Sequence, residues 1–248
     1  MRGASELQTV LLSTYLCAGG HLSASNTRTS ATPQTLPASL TNVHRPMTFK
    51  YFDKPELFAV VRDSDTKCDI CGQVKLCFDA EAFYGQEKIT SICPDCLASG
   101  QLLDKSAFTC DGDIAELKRQ LKILNPALTD LDIAELANQK TTELEKTTPR
   151  LVTWQDWAWP CSDGDYCKFI GFGSRPFYNS LATTTGEELF KTSFYYNLKD
   201  DPNIDFFWDE VLPDEKIKNF KDSNQYGTLF YVFKSLNSDK IITIWDCD

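Results

Sequence analysis

Two Cys-x-x-Cys pairs, Cys68 and Cys71 in "KCDICG" and Cys93 and Cys96 in "SICPDCLASG", constrain this chain more than any other feature. Four thiolates presented as two such knuckles complete a tetrahedron around Zn²⁺ and leave no open coordination position, so a site of this kind is structural. The 21 residues between the pairs slightly exceed the common spacing, and a β-hairpin built from "VKLCF" and "KITSI" would fill them. Two other readings of the pairs stay open: a redox motif of the "CPDC" kind and an iron–sulfur cluster. A redox motif sits at a strand-to-helix turn of a βαβ unit and needs no twin, which favours zinc.

Ten cysteines in 248 residues would spell a disulfide framework in a secreted chain. Here six of them fall in short regions with metal-like spacing, so reduced thiols and a cytoplasmic location are expected. Residues 1–46 carry Arg2, Arg28 and Arg45 against Glu6, which leaves 22 basic and 34 acidic residues, a net −12, in the remainder. Such a surface repels phosphate backbones and attracts basic partners; nucleic acid is not an expected partner.

The first 46 residues read as a disordered or non-native leader, rich in Ser, Thr, Ala and Pro and without apolar periodicity. "TVLLSTYLCAGG" has signal-peptide length, but Ser13, Thr14 and Tyr15 break it and Glu6 lies in the flank that should be basic. Met47 opens the patterned part. No stretch of about 18 uninterrupted apolar residues is present, so no transmembrane helix is expected.

From residue 47 the pattern predicts an α+β fold: zinc-ribbon-like antiparallel strands over 47–110, then a helical part over 111–248 that ends in a β-hairpin. "ELFAVVRD", "VKLCF" and "KITSI" read as short strands around the knuckles. Ile114, Leu117, Leu121 and Leu124 mark a helix that Pro126 ends. Thr129 with Asp132 makes a capping box for a second helix carrying Leu131, Ile133, Leu136 and Leu144 toward Pro149. "GTLFYVFKS" and "KIITIWD", joined through "LNSD", predict a hairpin that is apolar on both faces and therefore lies in a core, with helices on one side.

Histidine occurs only at His21 and His44. Ser-His-Asp, Cys-His and HExxH chemistries are therefore excluded after residue 47, and a zinc deaminase fails too, since the "H-x-E" partner of its cysteine pair is absent. Carboxylates, Lys, Tyr or a thiol such as Cys167 remain for an enzyme. "TWQDWAWPCSDGDYCKFIGFG" gathers Trp154, Trp157 and Trp159. Such density is expected as a core or inter-domain wedge, with a ligand cage as the alternative. Cys161 and Cys167 form at most half of a second metal site, and Cys77 and Cys110 read as small buried residues. "KDDPNIDFFWDEVLPDE" is either a solvated helix with its apolar side inward or an acidic docking surface. In the second reading Asp200, Asp201, Asp205, Asp209 and Glu210 supply charge, and Phe206, Phe207 and Trp208 the anchors.

"FKYFDKPELF", "CDIC", "ICPDCLASGQL", the Trp-rich run and "YGTLFYVFKSLNSDKIITIWDCD" together resemble the CbrC family, whose named member is a colicin-tolerance protein. The likeness covers residues 47 to about 172 well and the last twenty loosely. That family has His and Cys where this chain has Ser162 and Asp163, and a cysteine pair in the hairpin where this chain has "VFKSLNSDK". A second metal site of that family would here need Cys161 or Cys247 to compensate. The resemblance implies a binder that confers tolerance or immunity to a toxin; the acidic charge adds a basic protein toxin domain as partner, and the cysteine spacing and lack of histidine a non-enzymatic zinc protein. Its rivals are a carboxylate or Cys167 enzyme and a zinc-ribbon nucleic-acid module.

Overall fold

The computed structural model describes residues 48–196 and 202–248; the leader at 1–46, and Asp200 and Asp201, lie outside the described residues. The fold is mixed α+β, with small antiparallel sheets, a helical middle and a three-stranded antiparallel sheet at the C-terminus.

In the first third, regular structure is sparse. The expected strand "ELFAVVRD" begins instead as one helical turn, α1 (Pro55–Phe58), because a proline at the first helical position presets φ and lacks only an N–H that would go unpaired. The run becomes extended at Val60: the Asp79 N–H donates to the Val60 carbonyl and the Arg62 N–H to that of Cys77, both at 2.9 Å. Of "VKLCF" only Phe78 enters β1 (Phe78–Asp79), and of "KITSI" only Ser91 and Ile92 form β3, with β2 (Tyr84–Gly85) between. β1 pairs with β3, and β2 with β4 (Ala107–Phe108), each over two residues. Between β3 and β4 lies α2 (Pro94–Ala98).

The helical middle consists of α3 (Ile114–Leu124) and α4 (Asp130–Thr147). Asp113 caps α3 by accepting the Glu116 N–H at 3.1 Å. The capping box of α4 is formed on both sides: Thr129 Oγ1 accepts the Asp132 N–H at 3.2 Å and Asp132 Oδ2 accepts the Thr129 N–H at 3.0 Å. The buried stripe of α4 is Ile133, Ala137, Thr141 and Leu144. Leu131, expected on that stripe, is 78% exposed. Two positions along a helix turn a side chain to nearly the opposite face from Ile133.

β5 (Cys161–Ser162) and β6 (Asp165–Tyr166) make a tight hairpin that leads into β7 (Lys168–Phe172). After α5 (Arg175–Leu181), α6 (Gly186–Thr192), α7 (Ile204–Phe206) with its π-helical continuation Phe207–Val211, and α8 (Phe220–Ser223), the chain enters β8 (Thr228–Lys234) and β9 (Ile241–Cys247). The Ser235 N–H donates to the Lys240 carbonyl at 2.9 Å, closing the hairpin around "LNSD". β7 joins it as a third strand, so β8 is central. Both faces are buried, as the sequence predicts. Leu229, Tyr231, Phe233, Ile242 and Ile244 face the main core, while Phe230, Val232 and Ile241 face a second core built by α5, α6 and the Ile204–Leu212 segment. On β7 a register shift between Phe169 and Gly171 (φ 144°) puts Phe169 and Phe172, three apart, on one face. Trp159 is buried in that core with its ring centroid 5.2 Å from Phe233, and Trp157 lies 5.1 Å from Tyr231. The aromatic run therefore includes a core wedge.

Candidate metal centre

Cys68 and Cys71 flank a turn that Gly72 completes at φ +71°, where its N–H returns to the Cys68 carbonyl at 2.8 Å. Cys93 is the N-cap of α2: its Sγ accepts the Cys96 N–H at 3.4 Å, and Pro94 starts the helix that carries Cys96. The Cys93 N–H donates to Cys68 Sγ at 3.3 Å, and Cys71 Sγ lies 3.9 Å from Cys93 Sγ. All four sulfurs fall within 4.8 Å of one another. Cys68, Cys93 and Cys96 are buried and Cys71 is exposed.

Side chains around the cluster fix both knuckles. Asp69 accepts the Thr90 N–H (2.7 Å), the Thr90 hydroxyl (2.9 Å) and the Ser91 N–H (3.2 Å), which ties the first knuckle to the strand that delivers the second. Ser91 Oγ donates to the Lys67 carbonyl at 2.6 Å. Lys75 pairs with Asp95 at 2.9 Å and lies close enough to Cys93 for that sulfur also to hold its proton. Asp69 and Lys75 are thus supporting residues that Cys spacing alone does not reveal.

Burial raises the Cys68 thiol, but the N–H groups of Cys71, Cys93 and Ile70 outweigh it and bring the pKa to about 7. Burial pushes Cys93 up against the pull of the Cys96 N–H and thiol, and burial reinforced by the neighbouring sulfurs pushes Cys96 up. Four thiolates this close repel one another, and only a cation among them lets all four ionise together. Among the described residues the donor set is four sulfurs, which fits a closed tetrahedral ion. Cys77, fully buried behind Cys68, is pushed up to about 11, chiefly by burial, and stays a thiol.

The other expected sites come out differently. Among the described residues the four cysteines form the one cluster suited to a metal. Cys161 instead meets the Tyr195 hydroxyl at 3.4 Å, and Tyr195 donates to Asp113 at 3.0 Å. Ser162 and Asp163 lie against the C-terminal hairpin: Asp163 Oδ2 accepts the hydroxyls of Ser235 and Ser238, both at 2.7 Å, and its carbonyl accepts Asn237 Nδ2 at 2.9 Å. Hydrogen bonds thus tie Ser162 and Asp163 to the hairpin, and no second metal cluster forms there among the described residues. Cys167 is fully buried and burial pushes its thiol well up, the reverse of an activated nucleophile.

In the acidic segment, Phe207 and Trp208 turn inward, toward Trp245 (5.1 Å) and Phe190 (5.6 Å) respectively. Two of the three aromatic anchors read from sequence are therefore committed to the protein's own core. Phe206 remains 48% exposed beside exposed Asp205, Asp209 and Glu210, and Asp205 pairs with Lys191. No helix of the described residues is long and apolar enough to cross a membrane.

A tetrathiolate cluster locked between two knuckles, in an α+β domain with a two-faced C-terminal sheet, defines a protein with a candidate structural metal site. The chain belongs to the Uncharacterised protein family (UPF0167), whose family model matches residues 47–247. No solved structure matches it.

Proposed function

We propose that this is a non-catalytic, zinc-stapled cytoplasmic protein that acts by binding a basic protein, and that its partner, as the CbrC resemblance implies, is a toxin domain to which it confers tolerance. The observation that carries the reading is the closed, largely buried four-sulfur site, which suits an ion that holds the fold and not one that presents a substrate position. The acidic excess of the chain supports a basic partner through steered encounter. Phe206 with Asp209 and Glu210 is the part of the acidic segment left for docking. The rival enzyme reading loses support at Cys167, where burial opposes the thiolate, and the nucleic-acid reading loses it to the charge.

The test is co-expression of the full chain with a panel of basic colicin nuclease domains, scored by survival. Protection by the wild type, reduced by the double charge reversal Asp209→Lys and Glu210→Lys, is expected. Equal killing with and without the protein across the panel would sink the proposal.

A further inference from the structure

Buried polar side-chain atoms without a hydrogen-bond partner are rare in folded proteins. Among the described residues there are three: Thr148 Oγ1, Arg150 Nε and Asp246 Oδ1. Thr148 and Arg150 lie in the segment 148–157, and Asp246 is bound to it, with Oδ2 accepting the Trp154 N–H at 3.1 Å and Trp157 Nε1–H at 3.2 Å. Of these three, Arg150 lines a cleft, and Asp246 holds Trp157, another residue of its lining. The same segment forms a wall of this cleft, which is half-open and of about 220 Å³.

Three aromatic residues line this cleft, Tyr84, Trp157 and the buried Trp159. Tyr84 stacks on Phe108 at 5.3 Å and 22°, held by the β2–β4 pairing, and Trp157 is fixed by Asp246 and by its edge contact with Tyr231. Arg150 lies with its guanidinium carbon 5.9 Å from the Tyr84 ring centroid and makes no ion pair among the described residues. Asp111 and Asp156 also line the cleft, both exposed and neither salt-bridged among the described residues. One cleft thus holds a cation and two carboxylates with no salt bridge between them. A plain anion would meet the two carboxylates, and a plain cation would meet Arg150. A zwitterion satisfies both signs at once.

We propose that this cleft binds a free aromatic amino acid. Arg150 takes the carboxylate, Asp111 and Asp156 take the ammonium, and the side-chain ring lies against Tyr84 and Trp157. The volume fits that class, since it is below the roughly 300–1,000 Å³ typical of pockets for drug-sized ligands. The site is separate from the four-cysteine cluster, and the proposal does not rest on the toxin reading.

Isothermal titration calorimetry on the full chain tests it, with L-tryptophan and L-phenylalanine as probes, and tryptamine and indole-3-propionate as analogues lacking one charged group each. Saturable binding of one amino acid per chain is expected, with both analogues weaker by about tenfold or more, the size of one lost charge-assisted contact. Arg150→Leu should weaken L-tryptophan at least as much. If that variant fails to fold, Asp156→Asn at the exposed rim gives the independent reading: L-tryptophan weakens and indole-3-propionate does not. No saturable heat with either amino acid, or indole-3-propionate binding as tightly as L-tryptophan, overturns the proposal.

Discussion

Cys71 separates a metal-holding cluster from a merely packed one. Its side chain is exposed while those of Cys68, Cys93 and Cys96 are buried. An exposed side chain with no special role changes stability by no more than about 0.5 kcal/mol on substitution. In a domain of this size that shifts Tm by roughly 2 °C or less. As the fourth ligand of a charged cluster, however, its loss leaves three crowded sulfurs without a complete shell. Breaking a buried charge assembly by removing one partner costs about 3–5 kcal/mol, which corresponds to roughly 6–20 °C. Cys71→Ser is therefore expected to melt as early as Cys93→Ser and to lose zinc with it. Cys77→Ala, which removes a fully buried sulfur behind Cys68, should cost about 1–2 kcal/mol by lost packing and retain the ion. Near-UV circular dichroism melts and elemental analysis of zinc per chain read both quantities. A Cys71→Ser protein that keeps its zinc and melts within about 2 °C of the wild type would refute the argument.

Asp246 is buried, which raises its carboxyl above the ordinary 3.8. Because the folded pKa is the higher one, this residue lowers stability progressively as pH rises past 3.8. Asp246→Asn should accordingly raise Tm near neutrality and lose that advantage near the ordinary carboxylate value, as calorimetry at the two pH values would show. Thr129→Ala removes half of the capping box and should cost about 1 kcal/mol, measured by urea denaturation. Gly85 adopts φ +109° and a Cβ there would overlap the Ser106 carbonyl oxygen, so Gly85→Ala should cost at least about 2 kcal/mol. Hydrogen exchange at β2 and β4 would show that pair opening first. EDTA or a stronger chelator should lower the melting temperature of the wild type and leave Cys93→Ser unchanged, because only the former keeps the four ligands an ion would need.

Local chemistry was the most legible part of the sequence. The capping box depends on Thr129 and Asp132 alone, and the helix Ile114–Leu124 and its end before Pro126 followed from apolar spacing and the proline. The four-cysteine cluster was equally readable, because each knuckle is a local turn and chemistry dictates that the two meet. Strand extents around it were not, since two-residue ladders held by Asp69, Ser91 and sulfur leave no alternating pattern to read. β7 escaped because its Gly171 bulge breaks the period of two. The inward turn of Phe207 and Trp208 is set by Phe190, Phe230 and Trp245, all distant in sequence. The cleft beside Arg150 draws Tyr84, Asp111 and Trp157 from three separate loops or short strands, and no spacing rule connects them.

The Asp163 tie to Ser235 and Ser238 gives the protein two clasps of different chemistry. The knuckle region, held as proposed by an ion among four sulfurs, would fail under oxidants or chelators. The C-terminal hairpin is fastened by a carboxylate that hydroxyls from Ser238 and Ser235 hold below its usual range. That fastening is fully formed above the ordinary 3.8 and slips only as acid carries the pH down through the depressed value. Oxidative stress and acid stress should therefore loosen different parts of this molecule, leaving two distinct partly unfolded forms that limited proteolysis would tell apart.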